Sequence, residues 1–158
     1  MIRSGIGYDI HRFAKERKLI LGGVEIPHSH GLEGHSDADV LSHAIADALL
    51  GATGAGDIGQ HFPNTDESLR GISSLEILKR VTKMLAERRT RIANIDATII
   101  AEAPKIAPHV SAMRQKIAAA TGVSESNVNV KATTNESLGA IGRAEGMAAI
   151  AIATVEVD

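Results

Sequence analysis

The 158-residue chain contains no cysteine, and its aromatic residues are limited to one Tyr and two Phe, with no Trp. Disulfide bonds and thiolate metal sites are therefore excluded. With so few aromatic rings, the core must be packed from Ile, Leu, Val and many Ala, which bury less area per residue and let elements approach closely. A small Ala-rich chain could bury further surface by oligomerising.

The sequence also lacks a strong net charge and a long apolar run. Because the formal net charge is only -2, no global basic field attracts nucleic acid or an anionic membrane, and any phosphate recognition must be local. No apolar stretch reaches about 18 residues, and residues 1–5 lack the apolar run of a signal peptide. We expect a cytoplasmic protein without a nucleic-acid or membrane partner.

Length and composition are typical of one folded domain. The chain is 44% hydrophobic and 23% charged, the proportions of a globular protein rather than a disordered one. No change in composition marks a linker, so residues 1–158 are expected to form a single domain with one core.

Three polar residues near the N-terminus predict a metal site. Asp9 and His11 lie two positions apart on a predicted strand, so their side chains leave the same face. His43, in a predicted helix, is the third candidate. An Asp and two His suit Zn²⁺ and leave the fourth tetrahedral position free for substrate. Taken alone, Asp9 is typical of a strand end or a turn, and each histidine is more typical of the surface or a polar core than of a metal site. The combination favours a metal.

Apolar spacing predicts three helices. The first runs from about residue 37 to 50, with Ser36 and Asp39 at capping-box spacing. Asp39 and Asp47 stand one turn either side of His43, so either could orient its ring. A second capping box, Ser73 to Glu76, begins a helix that ends near residue 88. The third helix has Pro108 in its first turn, ends near residue 121 and is capped by Gly122.

Strands are predicted over residues 2–11, 92–101, 127–134 and 147–157, with residues 18–26 forming a strand or hairpin arm interrupted by Gly22 and Gly23. The last strand is apolar on both faces between residues 148 and 153, so we expect both faces to be buried, by helices or by another subunit. His28 and His30 lie in a predicted loop and are assigned no role.

Two further segments carry candidate binding groups. The glycine-containing loop 51–71 includes Asp57 and Asp66, which are equally typical of turn-forming residues. Residues 133–146 combine hydroxyl groups, Glu136, Arg143 and several glycines. Arg pairs with phosphate oxygens and Glu can hold a hard cation, so this segment resembles a phosphate and cation site.

Five ordered motifs make the chain similar to the 2-C-methyl-D-erythritol 2,4-cyclodiphosphate synthase family over essentially its whole length. The motifs are Gly-Tyr-Asp-Ile-His-Arg at 7–12, Gly-His-Ser-Asp-Ala-Asp-Val at 34–40, Gly-Asp-Ile-Gly at 56–59, Ala-Pro-Lys at 103–105 and Lys-Ala-Thr-Thr at 131–134, followed by Glu136, Gly142 and Arg143. The resemblance implies an α/β (α+β) single domain with a mixed sheet covered on one face by helices. Three subunits would bring their sheets together around a threefold axis, with active sites between subunits.

The resemblance also implies the chemistry. The substrate would be 4-diphosphocytidyl-2-C-methyl-D-erythritol 2-phosphate, whose own 2-phosphate attacks the β-phosphorus and releases CMP. Zinc would be bound by Asp9, His11 and His43, and a second cation, Mg²⁺ or Mn²⁺, would bridge the diphosphate near Glu136.

Individual positions are carried over from the same resemblance. His35 and Thr134 match residues assigned to transition-state stabilisation, residues 101–107 match the cytidine pocket, and residues 62–66 match a loop over the methylerythritol phosphate. The full set of implied substrate contacts is Asp9, Ile10, His11, His35, Ser36, Asp57, Ile58, Gly59, Phe62, Pro63, Asn64, Thr65, Asp66, Ala101, Glu102, Ala103, Pro104, Lys105, Ile106, Ala107, Thr133, Thr134, Asn135, Glu136 and Arg143.

Three positions depart from the family pattern. Asn64 stands where Asp is common, Asn135 stands where a third Thr is frequent, and Ala140 occupies a position that is often aromatic near the trimer axis. Ala140 is therefore not assigned to an isoprenoid-binding cavity. Two alternatives to the cyclase stay open on residues alone: a phosphohydrolase with a zinc-bound hydroxide nucleophile, and a binding module for a cytidine nucleotide or prenyl phosphate without chemistry.

Overall fold

A mixed five-stranded sheet forms the centre of the protein. The computed structural model describes all residues from Met1 to Asp158. Its strands are β1 Ile2–Ala14, β2 Leu19–Leu21, β3 Val24–Ile26, β4 Gly31–Leu32, β5 Thr90–Ile100, β6 Val128–Thr133 and β7 Gly146–Val157. The sheet has the order β4-β1-β7-β5-β6, while β2 and β3 form a separate hairpin. Only β5 and β6 run parallel; the other neighbours are antiparallel.

Five helices connect these strands: α1 Val40–Thr53, α2 Ile58–His61, α3 Ser74–Glu87, α4 Val110–Thr121 and α5 Gly139–Gly142. Helix α1 packs across β1 and β7, α3 packs against α1, and α4 packs against α3 and β6. None of the helices combines the length and apolar character needed to cross a bilayer. The expected mixed sheet with helices on one face is thus confirmed.

Alternation along β7 separates the two faces of the sheet. Met147, Ala151 and Val155 are buried against the helices, whereas Ile150 and Ile152 remain partly exposed. The expectation that the middle of this strand is buried on both sides is therefore met on only one face within the chain. Small Ala side chains on the buried face allow α1 to approach the sheet closely.

Two glycines on β1 set the distance between that strand and α1. A Cβ atom on Gly5 would lie 2.2 Å from the backbone oxygen of Ala48, and one on Gly7 would lie 1.9 Å from that of Ala44. The helix backbone thus rests directly on the strand backbone. This contact brings the first turns of α1 over the residues that follow Gly7.

The predicted elements are confirmed within a few residues, but their caps are corrected. Helix α1 begins at Val40 with Asp39 as its N-cap, not with Ser36. Ser73 precedes α3 without a side-chain capping bond, and the backbone N–H of Ser74 donates to the Asp37 carboxylate. Pro108 lies in a 3₁₀ turn before α4. The long loop 51–71 contains α2 and a second 3₁₀ turn.

Candidate active site

Strand β1 and helix α1 bring Asp9, His11 and His43 together, as the sequence predicted. Asp9 Oδ2 lies 2.9 Å from His11 Nε2 and 3.0 Å from His43 Nδ1. All three candidate ligand atoms lie within 4.8 Å of one another. Alternation along β1 places the first two on the helix-facing side of the sheet, and the close packing of α1 on Gly7 supplies the third.

Hydrogen bonding joins His43 Nδ1 to Asp9 but leaves the ligand atom of His11 without a partner. His11 Nδ1 donates to the backbone oxygen of Glu33 at 2.6 Å, which leaves a lone pair on Nε2. That Nε2 atom is buried and has no hydrogen-bond partner; its contact with Asp9 is close enough for an ion pair but lacks hydrogen-bond geometry. Because a buried polar atom without a partner is costly, a cation between these atoms fits the site.

Charge around Asp9 supports the same interpretation. Burial alone would raise the pKa of Asp9, but the close imidazole of His11 and the hydrogen bond from His43 outweigh it and lower the pKa to about 2. Burial lowers the pKa of His11, but the Asp9 carboxylate outweighs this and raises that pKa above its usual value. Both shifts have the sign expected where a carboxylate favours positive charge beside it, which is the charge that a divalent cation would supply.

Metal-free protein is therefore expected to lose stability as pH rises above 6.5. A histidine with a raised folded-state pKa stabilises the fold below its unfolded pKa of 6.5, and this contribution disappears above the folded-state value. On the acid side, the Asp9 contribution, on the order of 2 kcal/mol, is lost as pH falls from 3.8 through about 2. Urea unfolding of chelator-treated protein across this range measures both effects.

Two matched histidine variants separate the contribution of His11 to this pH dependence from that of an exposed histidine. His11→Gln should remove most of the decline in stability above pH 6.5, whereas His28→Gln, at an exposed position, should leave it unchanged. Saturating zinc should reverse the trend, because zinc binding requires deprotonated histidines and strengthens with pH. A flat profile in metal-free wild-type protein would contradict the expectation.

A polar cleft of about 250 Å³ opens over the three residues. Several predicted substrate contacts line it: His35, Ser36, Ile58, Gly59, Phe62 and Asn64. Asp57 and Asp66 lie outside this lining. Asp57 caps α2 through Gln60 N, and Asp66 accepts from Ser68, so both also serve as turn formers. Hydrogen bonding from Ser68 lowers the pKa of the Asp66 carboxyl.

A second cleft of about 230 Å³ lies toward the opposite edge of the sheet, beside β5 and β6. Its walls come from the segment after β5 and the end of β6, and include most residues predicted for the cytidine pocket. The lining is Ala101, Glu102, Pro104, Lys105, Ile106, Ala107, Ala132, Thr133 and Thr134. Ala103 precedes Pro104 through a cis peptide bond. The sequence prediction thus corresponds to a real concave surface.

Glu102 links this cleft to the segment that carries Glu136. Its Oε1 accepts hydrogen bonds from Asn135 N at 2.8 Å and Ser137 N at 3.3 Å. Between them, Glu136 has a φ of 50°, in the left-handed region, and its N–H donates to Thr134 Oγ1. Arg143 is exposed and pairs with Glu145 at 2.7 Å.

The two clefts lie far apart within one chain and share no lining residue. Strand register aligns Ile10, Ala148, Ile100 and Thr133 in one row across β1, β7, β5 and β6. Three strand spacings of about 4.8 Å separate the first from the last by roughly 14 Å. Glu136 is accordingly not part of the Asp9, His11 and His43 group.

Residues that hold the histidines were only partly foreseen. Asp39 does not orient His43, because its carboxylate is fully buried and accepts from Gly22, Gly23 and Ser42 instead. Asp47 lines the cleft and accepts from Ile58 N at 2.8 Å.

Three residues that help to hold the histidines were not predicted from the sequence: Glu33, Asp37 and Ser74. No local spacing marks them, since Asp37 and Ser74 are 37 positions apart in the sequence.

A mixed α/β domain with an open Asp-His-His centre defines a class of enzymes able to hold a divalent cation beside an anionic substrate. A model of the YgbB family matches residues 2–156. The 2-C-methyl-D-erythritol 2,4-cyclodiphosphate synthase of Alkaliphilus metalliredigens is 60% identical over 154 residues, covering 98% of this chain and 97% of that protein. The chain belongs to the YgbB family and is an enzyme.

Solved structures agree with this assignment. The bifunctional IspDF of Campylobacter jejuni superposes with a TM-score of 0.96 at 42% identity. The match covers 100% of this chain and 43% of that protein. IspF of Plasmodium falciparum, solved as a CDP complex, gives a TM-score of 0.86 at 33% identity, covering 99% of this chain and 97% of that one. The family inferred from the five motifs is confirmed.

Proposed function

We propose that the enzyme cyclises 4-diphosphocytidyl-2-C-methyl-D-erythritol 2-phosphate to 2-C-methyl-D-erythritol 2,4-cyclodiphosphate and releases CMP. In class it is a phosphorus–oxygen lyase, acting as the single domain 1–158. The observation that carries the proposal is the convergence of Asp9, His11 and His43 at the floor of a polar cleft, in a family whose curated relatives carry that synthase name. The cytoplasmic location stays a prediction.

The substrate supplies its own nucleophile. An oxygen of the 2-phosphate forms the new bond to the β-phosphorus, and the bond from that phosphorus to the bridging oxygen of CMP breaks, so CMP leaves with the electron pair. No serine or histidine needs to attack. The protein must fold a polyanion back on itself and hold the reacting groups in line, which is catalysis by positioning and electrostatics.

Two cation sites complete the proposal. Asp9, His11 and His43 would hold zinc, and Glu136 would hold Mg²⁺ or Mn²⁺. When bound, these cations polarise phosphate oxygens and offset the charge that develops as CMP leaves. Asp9 and His11 are rigid because they lie within a long strand, and the Glu33 carbonyl sets the ring orientation of His11.

The remaining residues divide between the two clefts. His35, Ser36 and the α2 region would surround the methylerythritol phosphate, and His35 Nε2 already contacts the Asp66 backbone oxygen at 3.3 Å. The 101–107 segment would bind cytidine, with Thr133, Thr134, Asn135 and Arg143 against the phosphates. His35 and Thr134 are proposed to stabilise the transition state.

Assembly as a homotrimer would join the two clefts. The sheet face without helices exposes large apolar side chains, among them Ile6 at 64% and Ile152 at 48% exposure. Patches of this kind mark interaction sites. Residues 131–140 are also exposed throughout in the single chain. The cleft over Asp9, His11 and His43 of one subunit would then face the cleft around residues 101–107 of its neighbour. One substrate could contact both.

Ile152→Asp is expected to convert the trimer to monomers and to remove most of the turnover. Ile152 pairs directly with Ile6 across β7 and β1, so the substitution places a charge at the centre of the apolar face. Sedimentation would report a mass near the 16.6 kDa of one chain. Ala119→Asp, on the exposed side of α4, is the control that should stay trimeric. A monomeric wild type would refute the assembly.

Phosphorus NMR of the enzyme with the proposed substrate, Mg²⁺ and Zn²⁺ tests the activity directly. Coupled signals of a cyclic diphosphate should appear with CMP, and both should stop when a chelator removes zinc. If the enzyme were instead a phosphohydrolase, linear phosphates would appear and oxygen from labelled water would enter the product. An unchanged spectrum from folded, zinc-loaded protein would leave a binding module as the better explanation.

A further inference from the structure

Helix α3 reaches the metal site through its first residue. Ser74 is fully buried, and its Oγ lies 2.8 Å from His43 Nε2. The same hydroxyl contacts Asp37 Oδ1, while Ser74 N donates to Asp37 Oδ2 at 2.9 Å. The three side chains form a continuous chain from Asp37 through Ser74 to His43, whose Nδ1 faces Asp9 at 3.0 Å.

We infer that Ser74 and Asp37 are positioning residues that fix Nδ1 of His43 as its metal-binding atom. A carboxylate only accepts hydrogen bonds, so the single hydroxyl proton of Ser74 points to Asp37. The Ser74 oxygen can then only accept from His43, which places the ring proton on Nε2. When zinc is bound, Nδ1 then directs its lone pair to the metal in place of its hydrogen bond to Asp9, which is the state a metal ligand requires. The inference rests on the proposed metal-dependent function.

Backbone hydrogen bonds hold the Asp37–Ser74–His43 chain, hereafter the relay, in place. Asp37 N donates to Ile72 O at 3.1 Å, and Gly71 N donates to His35 O at 2.9 Å, so the segments before α1 and α3 are tied together. Ser36 offers a second hydroxyl to His43 Nε2, but at 3.2 Å, and its Oγ also accepts from Ala38 N. The Ser74 contact is shorter and is linked to a carboxylate, which strengthens it.

Ser74→Ala is expected to raise the zinc Kd by about 10- to 100-fold, the usual effect of removing a group that orients a metal ligand. Competition with a chromophoric chelator measures this Kd without any turnover. Ser73→Ala is the matched control, because Ser73 is the exposed neighbour whose side chain makes no capping bond. Ser74→Thr keeps the hydroxyl and should restore most of the affinity.

Asp37→Asn tests the direction of the relay. An amide can donate to Ser74, which would turn the serine proton toward His43 Nε2 and favour the ring form that carries its proton on Nδ1. The zinc Kd should rise about 10-fold or more. Since Asp37 acts through Ser74, the double variant Asp37→Asn with Ser74→Ala should bind zinc no more weakly than Ser74→Ala alone. Independent, multiplicative losses would overturn the relay.

Nitrogen-resolved NMR of the zinc-loaded wild-type protein decides the question even if a variant fails to fold. The relay requires a protonated, hydrogen-bonded Nε2 on His43 and zinc on Nδ1. Zinc on Nε2, or a zinc Kd in folded Ser74→Ala equal to that of Ser73→Ala, would overturn it. Failure of the cyclase assay with these zinc results intact would refute the proposed function and leave the relay standing.

Discussion

His43→Ala is expected to abolish stoichiometric zinc binding and turnover while leaving the fold intact. The imidazole is one of only three protein ligands, and its loss leaves two donors on a single strand. The effect should exceed the about 10- to 100-fold loss that follows removal of an orienting partner. The helix itself should survive, because α1 is anchored by Leu41, Ala44, Ile45 and Ala48, all fully buried.

Zinc content by elemental analysis and turnover by phosphorus NMR check this expectation together. His28→Ala is the control, since His28 is exposed and its nearest ring neighbours are Phe13 and His30 rather than the site. Circular dichroism would establish that both variants are folded. Retained activity with one zinc per chain in His43→Ala would reject the ligand assignment.

Gly7→Ala is expected to have the largest effect on stability. Its Cβ would lie 1.9 Å from the backbone oxygen of Ala44 and 2.7 Å from Ala48 N, so no rotamer change can relieve the clash. Overpacking of this kind costs about 1–3 kcal/mol and occasionally more. Displacing α1 would also move His43 away from Asp9, so we expect zinc binding to weaken along with the free energy of unfolding.

Gly51→Ala provides the matched comparison. Gly51 lies within α1 at an exposed position, and the nearest atoms to an added Cβ are 3.8 Å and 3.9 Å away. Replacing a helical glycine with alanine in open space should stabilise the protein by about 0.4–1 kcal/mol. Urea unfolding of the two variants would therefore shift in opposite directions. A neutral Gly7→Ala would show that the strand and helix can separate without cost.

Much of the site was readable from sequence because its rules are local. Side-chain alternation in an extended backbone places Asp9 and His11 on one face whatever the strand packs against. The apolar period from Val40 to Leu50 likewise defines a helix that carries His43 on its flank. The order of five short motifs was enough to identify the family, which the relatives confirm.

Helix capping was less predictable, because it depends on which acceptor reaches the free N–H groups. The spacing of Ser36 and Asp39 indicated one cap, but the structure uses Asp39 for α1. Ser73 makes no side-chain capping bond to α3, whose first N–H, that of Ser74, donates to Asp37 from a distant segment. Local spacing shows which residues could cap each helix, and the packing of the segments determines which of them does.

The sequence by itself determined the elements, the grouping of Asp9, His11 and His43, and the family, since all three depend on residue type and short spacing. Only the tertiary structure decided that the 101–107 and 9–64 surfaces form two separate clefts, that one sheet face lacks a cover, and that Ser74 contacts both Asp37 and His43. These features arise from contacts between residues far apart in the chain, and hydrogen bonds and packing act through space rather than along the sequence.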